Sequence, residues 1–144
     1  IAFVRRPIWE SPSGQRFAAD FGVGWRTQSG EQDVRLRPGI AWGRGFESAW
    51  GGGWMGVDAS AELMLRSDDT AFKVDFTTGL KPNDDWMVIL QVQSGRYPGS
   101  GAIARLAPSV VRAIGERSHI QLGLDATVLG DDSIGVKLGT WFSF

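Results

Sequence analysis

Apolar and polar residues alternate along most of this chain with a repeat of two residues. Between Gln15 and Thr27, the odd positions from Phe17 to Trp25 are apolar, and the even positions hold arginine, aspartate, alanine and glycine. Alternation of this kind predicts a β-strand whose two faces meet different surroundings. A helical repeat of 3.6 residues does not persist long enough anywhere in the chain to predict a helix.

The same alternation recurs along the chain and predicts eight strands. The predicted strands cover residues 15–27, 33–43, 55–66, 72–81, 86–93, 102–114, 119–129 and 133–144. Residues 1–14 contain two prolines and are predicted to form an irregular lead-in to a single domain, 15–144. The glycine-rich stretch 44–53 fits neither a strand nor a turn clearly. Pro38 and Pro108 face the apolar side of their strands and predict a bulge at each position, because proline cannot donate to the ladder.

Eight alternating strands predict an all-β fold, an antiparallel up-and-down barrel, because closure removes exposed sheet edges. A soluble barrel places its apolar face inside, and a membrane barrel places it outside. The interior of an eight-stranded barrel is just wide enough for side chains to fill. Large apolar residues line one face of nearly every strand, whereas small residues and charges line the other. The pattern therefore favours an eight-stranded transmembrane β-barrel with its apolar face outward and a filled polar lumen.

The polar faces of the predicted strands carry charges of both signs. Buried charges need partners, so a nearly balanced set predicts a network of ion pairs inside the barrel. The predicted lumen network comprises Arg16, Asp20, Arg35, Arg37, Asp58, Glu62, Arg66, Lys73, Asp75, Arg105, Asp125 and Lys137.

Aromatic residues lie near the ends of several predicted strands. Belts of aromatic residues at both rims are typical of transmembrane barrels. The predicted girdle comprises Phe17, Trp42, Trp86, Phe142 and Phe144 at one rim, and Trp25, Phe72 and Tyr97 at the other.

The last eight residues, KLGTWFSF, carry the most specific motif in the chain. Lys137, Gly139, Phe142 and Phe144 match, position by position, the terminal signal of Gram-negative outer-membrane barrels. With the eight strands, the chain resembles the small barrels of this group, similar in architecture to OmpX and the barrel of OmpA. The resemblance implies location in the bacterial outer membrane, contact with its lipids and lipopolysaccharide, and recognition by the barrel-assembly machinery. It also implies a structural or partner-docking role in the cell envelope, without an open pore.

Composition excludes several other classes of function. The 15 basic and 16 acidic residues give a net charge of −1, which disfavours nucleic acid as a partner. The chain has no cysteine and one histidine, so a cysteine-based zinc site and a multi-histidine metal site are excluded, and no cofactor is predicted. Its longest charge-free stretches, 48–57 and 86–95, are half the ~20 residues that a membrane-spanning helix needs.

Three alternatives stay open. The first is an enzyme that modifies outer-membrane lipid, with His119 as the candidate general base. The deacylase resemblance would need a serine two residues after the histidine, where this chain has Gln121, and Asp125 lies ~20 Å along the same strand. The second is a soluble, lipocalin-like barrel that binds a small ligand. The third is a narrow solute pore, which requires a gap in the lumen network.

Overall fold

The described residues form a single antiparallel sheet of nine strands, each hydrogen-bonded to the next in chain order. The computed structural model describes residues 1–28, 31–130 and 132–142. The strands are β1 (Ala2–Glu10), β2 (Gln15–Gln28), β3 (Glu31–Ser48), β4 (Gly51–Met64), β5 (Asp69–Lys81), β6 (Trp86–Arg96), β7 (Ala102–Ala113), β8 (Ser118–Leu129) and β9 (Ile134–Phe142). We call the end of the sheet with the turns at 11–14, 49–50, 82–85 and 114–117 the proximal end, and the opposite end distal.

The predicted all-β, up-and-down antiparallel fold is confirmed. The eight predicted strands correspond to β2–β9, with bounds that mostly differ by one to four residues. The ambiguous stretch 44–53 extends β3 and begins β4, so these strands are longer than the pattern indicated. Its glycines pair with residues that carry side chains, because Gly53 lies opposite Phe46 and Gly51 lies opposite Ser48.

The predicted irregular lead-in is wrong for residues 2–10, which form β1. The sheet therefore has nine strands rather than eight. Pro7 is compatible with this strand because β1 lies at the edge of the sheet, where the missing N–H costs little. A register shift between Pro7 and Trp9 interrupts the alternation, which is why the period-two pattern was hard to recognise here.

The sheet is not closed into a barrel. Strand pairing runs from β1 to β9, and no pairing between β9 and β1 occurs within the described residues. Closure was predicted because it would remove both edges, but the additional strand β1 occupies the edge of β2 that an eight-stranded barrel would have used.

Neither predicted proline bulge is present. Pro38 pairs with Phe21, Pro108 pairs with Leu90, and both of these ladders keep their register throughout. On the other side of these strands, Pro38 has no paired residue on β4 and Pro108 has none on β8. The residues before and after each proline nevertheless pair in one register. The missing N–H thus removes one ladder contact without inserting a residue. The register shifts instead lie between Pro7 and Trp9 and between Ala104 and Arg105.

One face of the sheet is concave. Val111 is 1% exposed and Gln121 is 4% exposed, although no second layer among the described residues covers them. The side chain of Arg5 on β1 also reaches Asp58 on β4 at 2.6 Å. In a flat sheet these strands would be three spacings apart, or ~14 Å. The sheet therefore curves so that side chains on this face cover one another.

The opposite, convex face is apolar and exposed. Val23, Trp25, Leu122 and Val136 all lie on it, with Trp25 73% exposed. The residues predicted to face outward on strands β2–β9 share this face, as the strand pairing shows. This is the reverse of a soluble protein, in which the apolar face of a sheet packs on the core.

The band of apolar side chains on the convex face runs obliquely to the rows of residues that pair from strand to strand. The row through Leu122 in the middle of β8 passes Val110, Val88 and Leu80 before it reaches β3 at Phe46, near the proximal end of that strand. The apolar residues of β3 are centred several positions further from this end. A band of apolar side chains that lies oblique to the hydrogen bonds requires tilted strands, as in barrels.

Candidate functional site

The concave face carries a cluster of charges around Asp20, whose side chain is 2% exposed. Arg5 Nη2 lies 3.0 Å from one carboxylate oxygen of Asp20, and Arg37 Nη1 lies 3.9 Å from the other. Arg5 also contacts Asp58, so one guanidinium joins β1, β2 and β4. The curvature of the sheet places these four groups together, and the two arginines offset the burial of the Asp20 charge.

Three further ion pairs follow along the concave face. Arg35 pairs with Glu62 on the neighbouring strand. Lys73 and Asp75 lie two residues apart on β5 and meet at 2.7 Å. A looser pair forms at 3.9 Å between Arg105 and Asp125. The predicted charges of the middle strands thus do form ion pairs, and they lie on the predicted face.

Other members of the predicted network lie at its margins. Arg16 pairs with Glu10 at 3.0 Å, and both side chains are largely exposed. Arg66 follows β4 in the distal turn, where its backbone N–H donates to the carboxylate of Asp33. Lys137 shares the concave face by its pairing with Gly123, but it is exposed on the edge strand.

Arg5 and Glu10 were missed because residues 1–14 were assigned to the lead-in. Arg5 is the cation that binds the most deeply buried carboxylate. No clear alternation marks this strand, because Phe3, Arg5 and Pro7 on one face and Ala2, Val4 and Arg6 on the other each combine apolar residues with one arginine. The register shift after Pro7 interrupts the pattern further.

The concave face is less filled at the proximal end. An open cavity of about 450 Å³ is lined there by Arg16, Gly43, Gly45 and Trp54 of this face, together with Gly14, Arg44 and Met55. Glycine leaves bare backbone on the concave side of β3, so only long side chains from other strands reach this space. The predicted polar filling therefore describes the distal and middle parts of the face better than the proximal part.

A neutral hydrogen-bond network joins the last three strands. Gln121 donates to Ser109 Oγ at 2.8 Å and accepts from Trp141 Nε1 at 3.0 Å. Gln121 and Ser109 are buried, and the bonds satisfy both ends of the amide. This link between β7, β8 and β9 was not predicted, because a single glutamine on a polar face gives no sequence signal for its partners.

The predicted aromatic girdle is divided between the two faces. Strand pairing places four of its members on the convex face near the proximal end: Phe17, Trp42, Trp86 and Phe142. Trp9 of β1 joins them, with its ring centroid 5.5 Å from that of Phe17. Trp25 and Phe72 lie on the convex face nearer the distal end. The side chain of Tyr97 instead lines a cavity of about 90 Å³ beside Lys73 and Arg105, on the concave side. Phe144 lies outside the described residues.

The histidine of the enzyme alternative lies on the concave face near the proximal end. His119 pairs across the ladder with Ala113 and Trp141. Its Nδ1 is buried and accepts or donates no hydrogen bond among the residues that the structure covers. Asp125 is on the same strand but six residues away, or ~20 Å, so the two side chains do not form a catalytic pair.

The described part of the terminal motif, Lys137 to Phe142, lies on the edge strand β9. Lys137 and Phe142 are exposed, and Gly139 pairs with Gln121.

Across residues 1–28, 31–130 and 132–142, no helix is long and apolar enough to cross a membrane. The same ranges hold no group of three or more potential metal ligands. Compared with protein-family models, curated proteins and solved structures, the chain matches none of them.

Proposed function

We propose that this protein is an integral β-barrel protein of the bacterial outer membrane, with a structural or partner-docking role and no open pore. The observation that carries the proposal is the orientation of the sheet. Its convex face exposes large apolar side chains on successive strands, and its concave face carries ion pairs that include the buried Asp20 carboxylate and the half-buried pair of Arg35 and Glu62. Lipid is the solvent in which such a surface is stable, whereas water would favour the reverse.

The terminal motif supports the outer membrane as the location. Lys137, Gly139 and Phe142 occupy the last described strand, where the assembly machinery implied by the resemblance would meet an exposed edge. Outer-membrane lipids, including lipopolysaccharide, are the partners that the convex face would contact.

Insertion into a bilayer would require both sheet edges to find partners, because no water satisfies backbone groups in hydrocarbon. Nine alternating strands leave β1 and β9 running in the same direction. Closure of this chain on itself therefore needs a parallel β1–β9 pair, in contrast to the antiparallel seam of an eight-stranded barrel.

The proposal is tested by folding the chain into detergent micelles and into liposomes. A folded barrel is expected to migrate differently on a denaturing gel with and without boiling, to show a β-rich circular dichroism spectrum, and to float with liposomes in a density gradient. A chain that stays monomeric and soluble in plain buffer would contradict the proposal and favour the soluble ligand-binding barrel.

The soluble-barrel alternative requires an apolar interior for its ligand. The concave face instead buries charged and polar groups, Asp20, Ser109 and Gln121 among them, beside a small apolar group that includes Ile89 and Val111. This arrangement favours the membrane proposal over a lipocalin-like function.

A further inference from the structure

The charged residues on the convex face share one sign. Strand pairing places four arginines on this face: Arg6, Arg44, Arg96 and Arg112. Among the acidic residues whose side chains the structure describes, none shares this face: those of the ion pairs, such as Asp20, Glu62 and Asp125, lie on the concave face. A lipid-facing surface that carries only cations points to an anionic partner.

Two of these arginines lie at the proximal end of the convex face. Arg44 follows Trp42 on β3, and Arg112 follows Val110 near the end of β7. The guanidinium of Arg112 lies 5.2 Å from the ring centroid of Trp86. Both arginines are exposed, and within the described part of the chain neither forms an ion pair with a carboxylate.

Arg44 and Arg112 lie at one level of the apolar band. The row of paired residues through Ile40 meets β7 at Ala104, whereas the apolar residues of β7 are centred two to four positions further toward the proximal end. The row through Arg44 meets β7 at Pro108, four residues before Arg112. Between β3 and β7, the arginines and the centre of the apolar band thus shift by about the same distance, and in the same direction, relative to the rows of paired residues. Arg44 and Arg112 therefore lie at about the same height on the band.

We propose that this proximal margin, formed by Arg44, Arg112 and Trp86, binds the phosphate headgroups of anionic phospholipids. The inference rests on the proposed membrane function. A planar guanidinium presents paired donors to phosphate oxygens, and an indole ring is favourable at the boundary between hydrocarbon and headgroups. A basic residue near an anionic membrane surface strengthens binding by about fivefold.

The test uses the full chain reconstituted in liposomes of phosphatidylcholine with a minor share of phosphatidylglycerol. Two preparations are compared, one in which phosphatidylcholine carries brominated acyl chains and one in which phosphatidylglycerol does. Quenching of tryptophan fluorescence gives the relative occupancy of the brominated lipid at the protein surface. The chain has seven tryptophans, so the contribution of Trp86, which lies beside Arg112, is obtained by difference from the same measurement on the W86F variant. We compare the wild type with the double variant R44Q/R112Q and with R16Q, which removes a charge from the concave face near the same end.

We expect wild type and R16Q to prefer phosphatidylglycerol over phosphatidylcholine. In R44Q/R112Q, we expect the ratio of phosphatidylglycerol to phosphatidylcholine at the protein surface to fall by about fivefold or more. High salt should weaken the preference of the wild type. Insertion into both liposome types without a preference, or an equal loss in R16Q, would overturn the headgroup site while leaving the membrane proposal intact. Failure of the wild type to insert into any liposome would overturn both.

Discussion

Replacement of Arg5 by methionine is expected to destabilise the protein markedly. Methionine keeps an unbranched side chain but removes the charge that lies 3.0 Å from Asp20 and 2.6 Å from Asp58. The carboxylate of Asp20 would stay buried, with only Arg37 at 3.9 Å to offset its charge. An uncompensated buried charge is the main cost of such a substitution.

The magnitude follows from the exposure of the partners. Loss of one member of a fully buried ion pair costs ~3–5 kcal/mol, and loss of an exposed pair costs ~0.2–1 kcal/mol. Arg5 is 41% exposed while Asp20 is 2% exposed, so the pair lies between these limits. We therefore expect the free energy of unfolding to fall by about 2 kcal/mol.

Arg16→Met is the matched control. Arg16 and Glu10 also join β1 and β2 at 3.0 Å, but their side chains are 75% and 58% exposed. We expect a loss of about 0.5 kcal/mol or less. Urea unfolding in detergent micelles, followed by tryptophan fluorescence, measures both variants. If Arg5→Met costs no more than Arg16→Met, the burial argument for the Asp20 cluster is refuted.

Three further predictions concern the concave face. Gly39→Ala should lower the free energy of unfolding by about 1–3 kcal/mol, because the added Cβ would lie 2.5 Å from the Asp20 carboxylate. Gly43→Ala should be tolerated, because the nearest atom to its Cβ is 3.5 Å away, and urea titration distinguishes the two variants. Gln121→Leu should cost about 2 kcal/mol in the same assay, because the Trp141 indole N–H loses its acceptor, and a loss below ~0.5 kcal/mol would contradict the network. Planar-bilayer recordings should show no discrete channel openings, since ion pairs cross the concave face; reproducible unitary conductance would favour the pore alternative.

The alternation of the sequence predicted which face each residue occupies better than it predicted the number of strands. The period of two is a local property, so the assignment of Phe21 and Leu122 to one face needed no knowledge of the neighbours. Strand β1 escaped because a register shift after Pro7 breaks the period. Closure was a global inference from edge protection, and one additional strand was enough to change it.

The ion pairs could be predicted as a set but not as individual contacts. Balanced charges on one face indicate that partners exist. The pairing of Arg35 with Glu62 depends on strand register, which turn lengths and bulges determine. The contact between Arg5 and Asp58 depends on curvature across two intervening strands, and no spacing in the sequence encodes that.

The central claim is that the convex face contacts hydrocarbon and the concave face does not. The chain has no cysteine, so a nitroxide can be attached at Leu90→Cys on the convex face and, separately, at Gln91→Cys on the concave face. In liposomes, electron paramagnetic resonance should show that the label at position 90 collides with oxygen, which partitions into lipid, and is shielded from a water-soluble nickel chelate. The label at position 91 should be less accessible to oxygen. Equal access of both labels to the nickel chelate would contradict the account.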